Sequence, residues 1–198
     1  EVPRFENIKE IIYNSVKLYP NNIAFTIKTK KEEKEVEYKE ITYKEFLDDI
    51  NALGTALLDL GLSDKRIAII GKNSYEWALT YVTNLLGNIV SIPLDKGLQI
   101  GELELSLIRS QPDAVIFDEK NLDEIKQIKD NGKTKIQKYI CMSNLEGYIC
   151  INELIEKGKK LIKNENNKYI DMEIDKEKMS VLLFTSGTTE QAKAVMLS

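Results

Sequence analysis

The sequence predicts an α/β fold: a three-layer, doubly wound domain with a mainly parallel sheet and an attached N-terminal β-hairpin. Three observations carry this expectation. From residue 66 onward, short apolar runs alternate with segments of helical apolar spacing, as a parallel sheet covered on both faces requires. Before that alternation, two strand-like runs, Ile23–Thr29 and Glu35–Thr42, flank the charged stretch Lys30–Lys34, which reads as a solvated turn. The chain of 198 residues is long enough for one such domain with its own core.

The elements follow in order. Glu6–Leu18 reads as a helix with Ile8, Ile11, Ile12 and Val16 to one side, ended by Tyr19-Pro20-Asn21-Asn22. Within the hairpin, Tyr38 and Ile41 are out of phase, which predicts a bulge near Lys39-Glu40. Thr42 and Glu45 have capping-box spacing, so a helix starts there, with Phe46, Ile50, Leu53 and Leu57 inward and Gly61 as its left-handed stop. Arg66–Ile70 is a buried strand. Asn73 is the expected cap of a helix bearing Trp77, Tyr81, Val82, Leu85 and Leu86. Strands at Ile89–Pro93, Ala114–Phe117 and Ile136–Cys141 then alternate with helices at Glu102–Ser110, Leu122–Asp130 and Ile151–Ile162. Leu103 and Leu107 should face inward. Asn164–Lys178 reads as an exposed polar loop with one short extended piece, Tyr169–Ile174. Val181–Phe184 is the last buried strand, and Ala194–Leu197 reads as a further strand.

Composition narrows the function. The net charge of −4 and the lack of a basic patch speak against a nucleic-acid partner. No apolar run approaches the length of a membrane span, and Glu1-Val2-Pro3-Arg4-Phe5 is not a signal peptide, so a cytoplasmic location is expected. Without an initiator Met, the chain is expected to start inside a longer one. Cys141 and Cys150 lack nearby metal-type partners and read as reduced thiols packed in or near a core. Histidine is absent, which removes Ser-His-Asp and Cys-His nucleophile schemes and most catalytic metal sites.

One segment carries chemistry: Thr185-Ser186-Gly187-Thr188-Thr189-Glu190-Gln191-Ala192-Lys193, directly after a buried strand. The carboxyl end of a parallel strand is where α/β sheets bind ligands. Hydroxyls and backbone N–H groups donate to phosphate oxygens, and Lys adds a mobile positive charge. A Ser/Thr-rich surface loop has the same composition, so composition alone leaves both readings open. The segment is not a Walker loop. Gly187 and Lys193 are six residues apart, but Ala192 and Ala194 stand where that motif has Gly and Ser/Thr, and a strand follows instead of a helix.

Val181–Ser198 resembles the phosphate loop of the adenylate-forming (AMP-binding) superfamily, whose pattern is T-S-G-T-T-G-x-P-K-G-V, an apolar residue, Leu and Ser. Thr185, Ser186, Gly187, Thr188, Thr189, Lys193, Val195, Leu197 and Ser198 keep the pattern, whereas Glu190, Ala192 and Ala194 replace Gly, Pro and Gly. Upstream, Thr42-Tyr43-Lys44-Glu45-Phe46 resembles the family's T-Y-x-E-L helix start. Leu86-Gly87 through Ile92-Pro93-Leu94-Asp95 resembles its helix-Gly-strand-P-L-D segment. Both read as scaffold.

The resemblance implies that residues 1–198 are the N-terminal portion of a large adenylate-forming domain, truncated after the phosphate loop. The family's later motifs for adenine, Mg²⁺ and ribose, and its C-terminal Lys, are not in this sequence. The implied activity of the intact protein is an ATP-dependent acid–thiol ligase, most like a bacterial long-chain fatty acyl-CoA ligase. It makes an acyl-adenylate and then a thioester, with ATP and Mg as cofactors and CoA and a fatty acid as co-substrates. The segment alone should be inactive. An amino-acid or acyl-carrier-protein adenylation domain is the alternative within that class; a non-catalytic α/β interaction module with a decayed loop is the alternative outside it. The resemblance gives nucleotide contacts to Thr185, Ser186, Gly187, Thr188, Thr189 and Lys193, and assigns this segment no catalytic residue and no metal ligand. It also implies that an apolar surface is left uncovered after the loop, so self-association through Ala194–Leu197 is expected.

Overall fold

A computed structural model describes residues 4–30, 36–185 and 193–198. The first helix, α1 (Ile8–Leu18), is capped by Asn7, whose side chain accepts from the Glu10 N–H. Strands β1 (Ile23–Lys30) and β2 (Val36–Thr42) form a separate antiparallel two-stranded sheet. Helix α2 (Tyr43–Asp59) starts with the expected capping box: the Glu45 N–H donates to the Thr42 hydroxyl, and the Thr42 N–H donates to the Glu45 carboxylate. It stops at Gly61, whose φ of 80° is the left-handed value that glycine adopts without strain.

The main sheet follows. It comprises β3 (Arg66–Ile70), β4 (Val90–Leu94), β5 (Ala114–Phe117), β6 (Lys138–Cys141), β7 (Ile149–Cys150), β8 (Val181–Thr185) and β9 (Lys193–Leu197). Between them lie α3 (Tyr75–Leu86), α4 (Ile100–Ser110), α5 (Leu122–Asn131) and α6 (Ile151–Lys163). The strand order is β7-β6-β5-β3-β4-β8-β9, parallel throughout except for the antiparallel β8–β9 pair.

Strand alternation sorts the core into two layers. Ile67, Ile69, Ala114, Ile116 and Ile140 face α2, α3 and α6, with α1 packed outside through Ile12 and Tyr13. Ala68, Ile70, Val115, Phe117 and Cys141 face α4 and α5, where Leu103, Leu107, Ile125 and Ile128 are buried. The expected three-layer, mainly parallel domain is therefore present. Among the described residues the hairpin makes no ladder with the main sheet; Phe25 packs edge-on against Phe46 of α2 and Tyr75 of α3. Both cysteines are free and buried.

Several local expectations are corrected. The irregularity in the hairpin sits on β1, at Ala24 between Ile23 and Phe25, while Lys39 and Glu40 pair regularly with Ile27 and Thr26. From Val36 to Ile41 β2 is regular, so Tyr38 and Ile41, three residues apart, point to opposite faces: Ile41 is buried and Tyr38 is exposed. The cap of α3 is Ser74, not Asn73: its extended backbone places Oγ to accept from the Trp77 N–H at 3.2 Å. The two-residue β7 was not expected. The segment 164–180 contains no strand, and Tyr169 is not exposed. Its ring is fully buried over Gly54 and Gly87, where an added Cβ would lie 2.2 Å and 2.6 Å from ring atoms, and its hydroxyl donates to the Thr83 carbonyl at 2.7 Å. The polar run before β8 is thus pinned between α2 and α3.

Burial pushes the Tyr169 phenol well above its ordinary value near 10. Tyr75 shifts the same way, first through burial and then through the Asp49 carboxylate that accepts its hydroxyl hydrogen bond at 2.8 Å. The unfolded chain loses these protons near pH 10, before the folded chain does. The stability they carry is complete below that pH and is lost as pH rises through the raised folded values. For Tyr169 the expected loss is about 1.4 kcal/mol per pH unit above 10. Urea unfolding from pH 8 to 11 checks this, and Tyr169→Phe should flatten the alkaline slope. An unchanged slope in that variant would refute the assignment.

Candidate functional site

Two features occupy the carboxyl end of the sheet. The first is the turn after β8. β8 joins the parallel sheet at Ser91↔Val181, so its last residue, Thr185, lies at the carboxyl edge. β9 returns antiparallel with register partners running from Thr185↔Lys193 to Val181↔Leu197. Residues 186–192 are therefore spanned by a paired base, with the Cα atoms of Thr185 and Lys193 about 5 Å apart. This geometry confirms that a strand, not a helix, follows the loop. The Lys193 side chain is exposed. Phe184, one residue before the turn, lies 5.9 Å beneath the Arg109 guanidinium of α4.

Of the six residues singled out in the sequence, the fold brings Thr185 and Lys193 together as register partners. Ser186, Gly187, Thr188 and Thr189 lie outside the described residues, as do Glu190, Gln191 and Ala192. Among the described residues, no group of three or more His, Cys, Asp or Glu side chains is arranged to hold a metal ion. By composition, the stretch from Thr185 to Lys193 offers hydroxyls and a cation, groups that suit an anionic ligand.

The second feature is a crevice of about 950 Å³ between the hairpin and the ends of β3, β5 and β6. The β3–α3–β4 and β5–α5–β6 crossovers leave in opposite directions, so this is the topological switch point of the sheet. Asp118 sits at its floor. Its Oδ1 accepts from the Lys120 N–H at 3.0 Å, and its Oδ2 lies 3.7 Å from Lys72 Nζ. Beside it the Ser143 hydroxyl donates to Glu119 at 2.9 Å, and the Asn144 side-chain Oδ1 accepts from the Cys150 thiol at 3.3 Å. Trp77 stacks on Tyr81 at the rim, with centroids 5.4 Å apart. Sequence reasoning missed this crevice because its residues come from three separated turns. The available signal was a polar pair beginning within two residues of the end of each buried strand: Lys72-Asn73, Asp118-Glu119 and Ser143-Asn144.

Comparison with known proteins adds the following. The sequence profile of the family described as "AMP-binding enzyme" matches residues 12–198. Long chain acyl-CoA synthetase 4 of Arabidopsis thaliana is 25% identical over 196 residues, covering 96% of this chain and 29% of that protein. Among solved structures, an anthranilate CoA ligase in complex with anthranoyl-AMP superposes with a TM-score of 0.76 at 19% identity, covering 98% of this chain and 35% of the other. A long-chain-fatty-acid-CoA ligase from Archaeoglobus fulgidus gives the same TM-score at 16% identity, covering 100% of this chain and 37% of the other. These two likenesses speak to the fold alone. The chain thus spans about 29% of the length of the plant relative it matches.

Proposed function

Because the chain belongs to the AMP-binding enzyme family, we propose that it is the N-terminal portion of an ATP-dependent fatty acid–CoA ligase and does not catalyse the reaction by itself. The observation that carries this reading is the β8–turn–β9 unit: a hydroxyl-rich loop at the carboxyl edge, closed by Lys193, inside the segment that matches the family. ATP would supply the α-phosphate that a carboxylate attacks, with pyrophosphate as the leaving group. The roles of this chain's residues are to bind and orient. The hydroxyls of Thr185, Ser186, Thr188 and Thr189 and the amide of Gly187 donate to the β- and γ-phosphates, and Lys193 compensates their charge. The acceptor is taken as CoA and the acid as a long-chain fatty acid from the names of relatives such as the plant synthetase. A cytoplasmic location accords with the absence, among the described residues, of a helix long and apolar enough to cross a membrane.

Titration of the 198-residue chain with ATP or inorganic pyrophosphate, followed by amide NMR, tests the loop assignment. The expected result is a response centred on Thr185 and Lys193. Affinity should be no tighter than millimolar, near −4 kcal/mol, because a phosphate cradle alone contributes little to holding a nucleotide. Pyrophosphate exchange with a panel of fatty acids should show no turnover. Micromolar affinity, a response confined to the crevice around Asp118, or robust exchange by this chain would each overturn the reading.

A further inference from the structure

The crevice at the switch point contains a carboxylate with one oxygen engaged and the other open. Asp118 is only 5% exposed, and its main-chain N–H donates to the Ile70 carbonyl at 2.9 Å. Its Cβ lies where Gly71 leaves room: a Cβ added at Gly71 would stand 2.8 Å from it. Oδ1 accepts from the Lys120 N–H and so caps the single turn of 3₁₀ helix after β5. Oδ2 accepts no hydrogen bond among the described residues. Its neighbour is the Lys72 ammonium, 3.7 Å away on a half-exposed side chain and too far for a hydrogen bond. Capping the turn explains Oδ1 and leaves Oδ2 without a task. Trp77, stacked on Tyr81, and the edge-on pair of Phe25 and Tyr75 give the crevice an aromatic wall. Its described ionisable groups are the ammoniums of Lys28 and Lys72 against the carboxylates of Glu76, Asp118 and Glu119, a balance that disfavours a polyanion. The walls come chiefly from the hairpin and the turns after β3, β5 and β6, and β4 and β8 separate them from β9.

We propose that this crevice is a second binding site, which takes a neutral hydroxylated ring through the vicinal diol of a sugar. A hydroxyl both donates and accepts, and an oxygen about 2.8 Å from each partner fits across the 3.7 Å between Asp118 Oδ2 and Lys72 Nζ. It donates to the carboxylate and accepts from the ammonium. The next hydroxyl of a diol lies over the same floor, where Glu119, Ser143 and Asn144 offer further acceptors and donors. A cationic ligand has to displace Lys72, and an anionic one meets Asp118 at close range, so a neutral donor is what the pair accepts. The face of the ring, or a base attached to it, packs on the aromatic wall. A lone water also completes Oδ2, but it needs neither that wall nor a volume of about 950 Å³, which is in the range of small-molecule sites. In doubly wound sheets an acidic side chain beyond a strand end is a recurrent partner of a ribose hydroxyl. The inference uses no residue of the phosphate loop and stands apart from the ligase reading.

Trp77 is the single tryptophan of the chain, so its fluorescence reports on the crevice directly. Titration of the 198-residue chain with adenosine and with methyl glucopyranoside should give a saturable change for at least one of them, with amide NMR shifts at Lys72, Asp118 and Ser143. A response to adenosine alone makes the source a nucleoside, and a response to the glucoside makes it a sugar ring as such; both sustain the proposal. For the ring that binds, loss of one hydroxyl of the diol, as in 2′-deoxyadenosine or methyl 2-deoxyglucopyranoside, should raise the dissociation constant about tenfold. Asp118→Asn keeps an oxygen to cap the Lys120 N–H but replaces Oδ2 by a donor. It should raise the constant by about tenfold or more with an unchanged circular dichroism spectrum. Lys72→Met changes an exposed side chain outside that turn, and should raise it by about fivefold. Inorganic pyrophosphate should leave Trp77 unchanged, so this site and the phosphate loop fail separately. The proposal is overturned by the lack of a saturable change with either ring, or by binding indifferent to the lost hydroxyl. It is equally overturned by an Asp118→Asn variant, or a Lys72→Met variant where the first does not fold, that binds as the parent does.

Discussion

Gly158→Ala is expected to lower the stability of the chain by about 2–3 kcal/mol net, a large share of the 5–15 kcal/mol typical of a whole domain. Gly158 lies on α6 where that helix crosses α2. An added Cβ would stand 1.8 Å from the Ala52 carbonyl oxygen and 2.9 Å from the Ala52 Cα. Both atoms belong to helical backbone, so no side chain can rotate away. Relief requires α6 to part from α2 by more than 1 Å, loosening Leu53, Leu57, Leu154 and Ile155 in the core between them. Part of that loss is masked, because Ala is about 1 kcal/mol better than Gly inside a helix. Gly101 of α4 supplies the control: a Cβ there meets nothing within 4 Å, so Gly101→Ala should be neutral or stabilising. Urea midpoints with unchanged slopes measure both variants. If Gly158→Ala unfolds at the same midpoint as Gly101→Ala, the close crossing is not as described.

This crossing illustrates what was legible in the sequence. Helical spacing identified α6, and Ile151, Leu154 and Ile155 are buried as an amphipathic helix requires. Gly158 has no apolar side chain to join that pattern, so its contact with the α2 backbone became apparent only once the two helices were placed. Tyr169 was hidden for a different reason. It stands in a polar run whose composition reads as a loop, and its burial is decided by the space over Gly54 and Gly87, far away in sequence. Ser74 and Asn73 are equally good caps by type, and only the backbone extension at Ser74 separates them. In the candidate site, the family pattern marked Thr185–Lys193 because those residues are contiguous. The crevice at Asp118 draws on the turns after β3, β5 and β6, and topology alone brings them together.

Lys193→Ala, in an enzyme extended to the length of the family's relatives, is expected to slow acyl-adenylate formation by about a hundredfold or more. A cation about 5 Å from one phosphate charge, at an effective dielectric near 20, is worth on the order of 3 kcal/mol. Thioester formation from supplied acyl-adenylate should change less, since the β- and γ-phosphates have left by then. Lys193 pairs with Thr185 at the base of the proposed phosphate loop, and its side chain is exposed. The same arithmetic constrains Glu190, which lies outside the described residues. A carboxylate at that distance would oppose the phosphates by a similar amount, and the family's Gly at this point lets backbone approach a phosphate closely. A working site requires the Glu190 carboxylate to face away from the nucleotide. Glu190→Gln should therefore shift the Michaelis constant for ATP by only a few-fold. Stopped-flow measurement of the two half-reactions separates the possibilities. Equal losses in both for Lys193→Ala would make the residue a structural part of the β8–β9 hairpin. A gain of about a hundredfold in ATP affinity for Glu190→Gln would show that the carboxylate opposes the phosphates and that the loop is inhibitory.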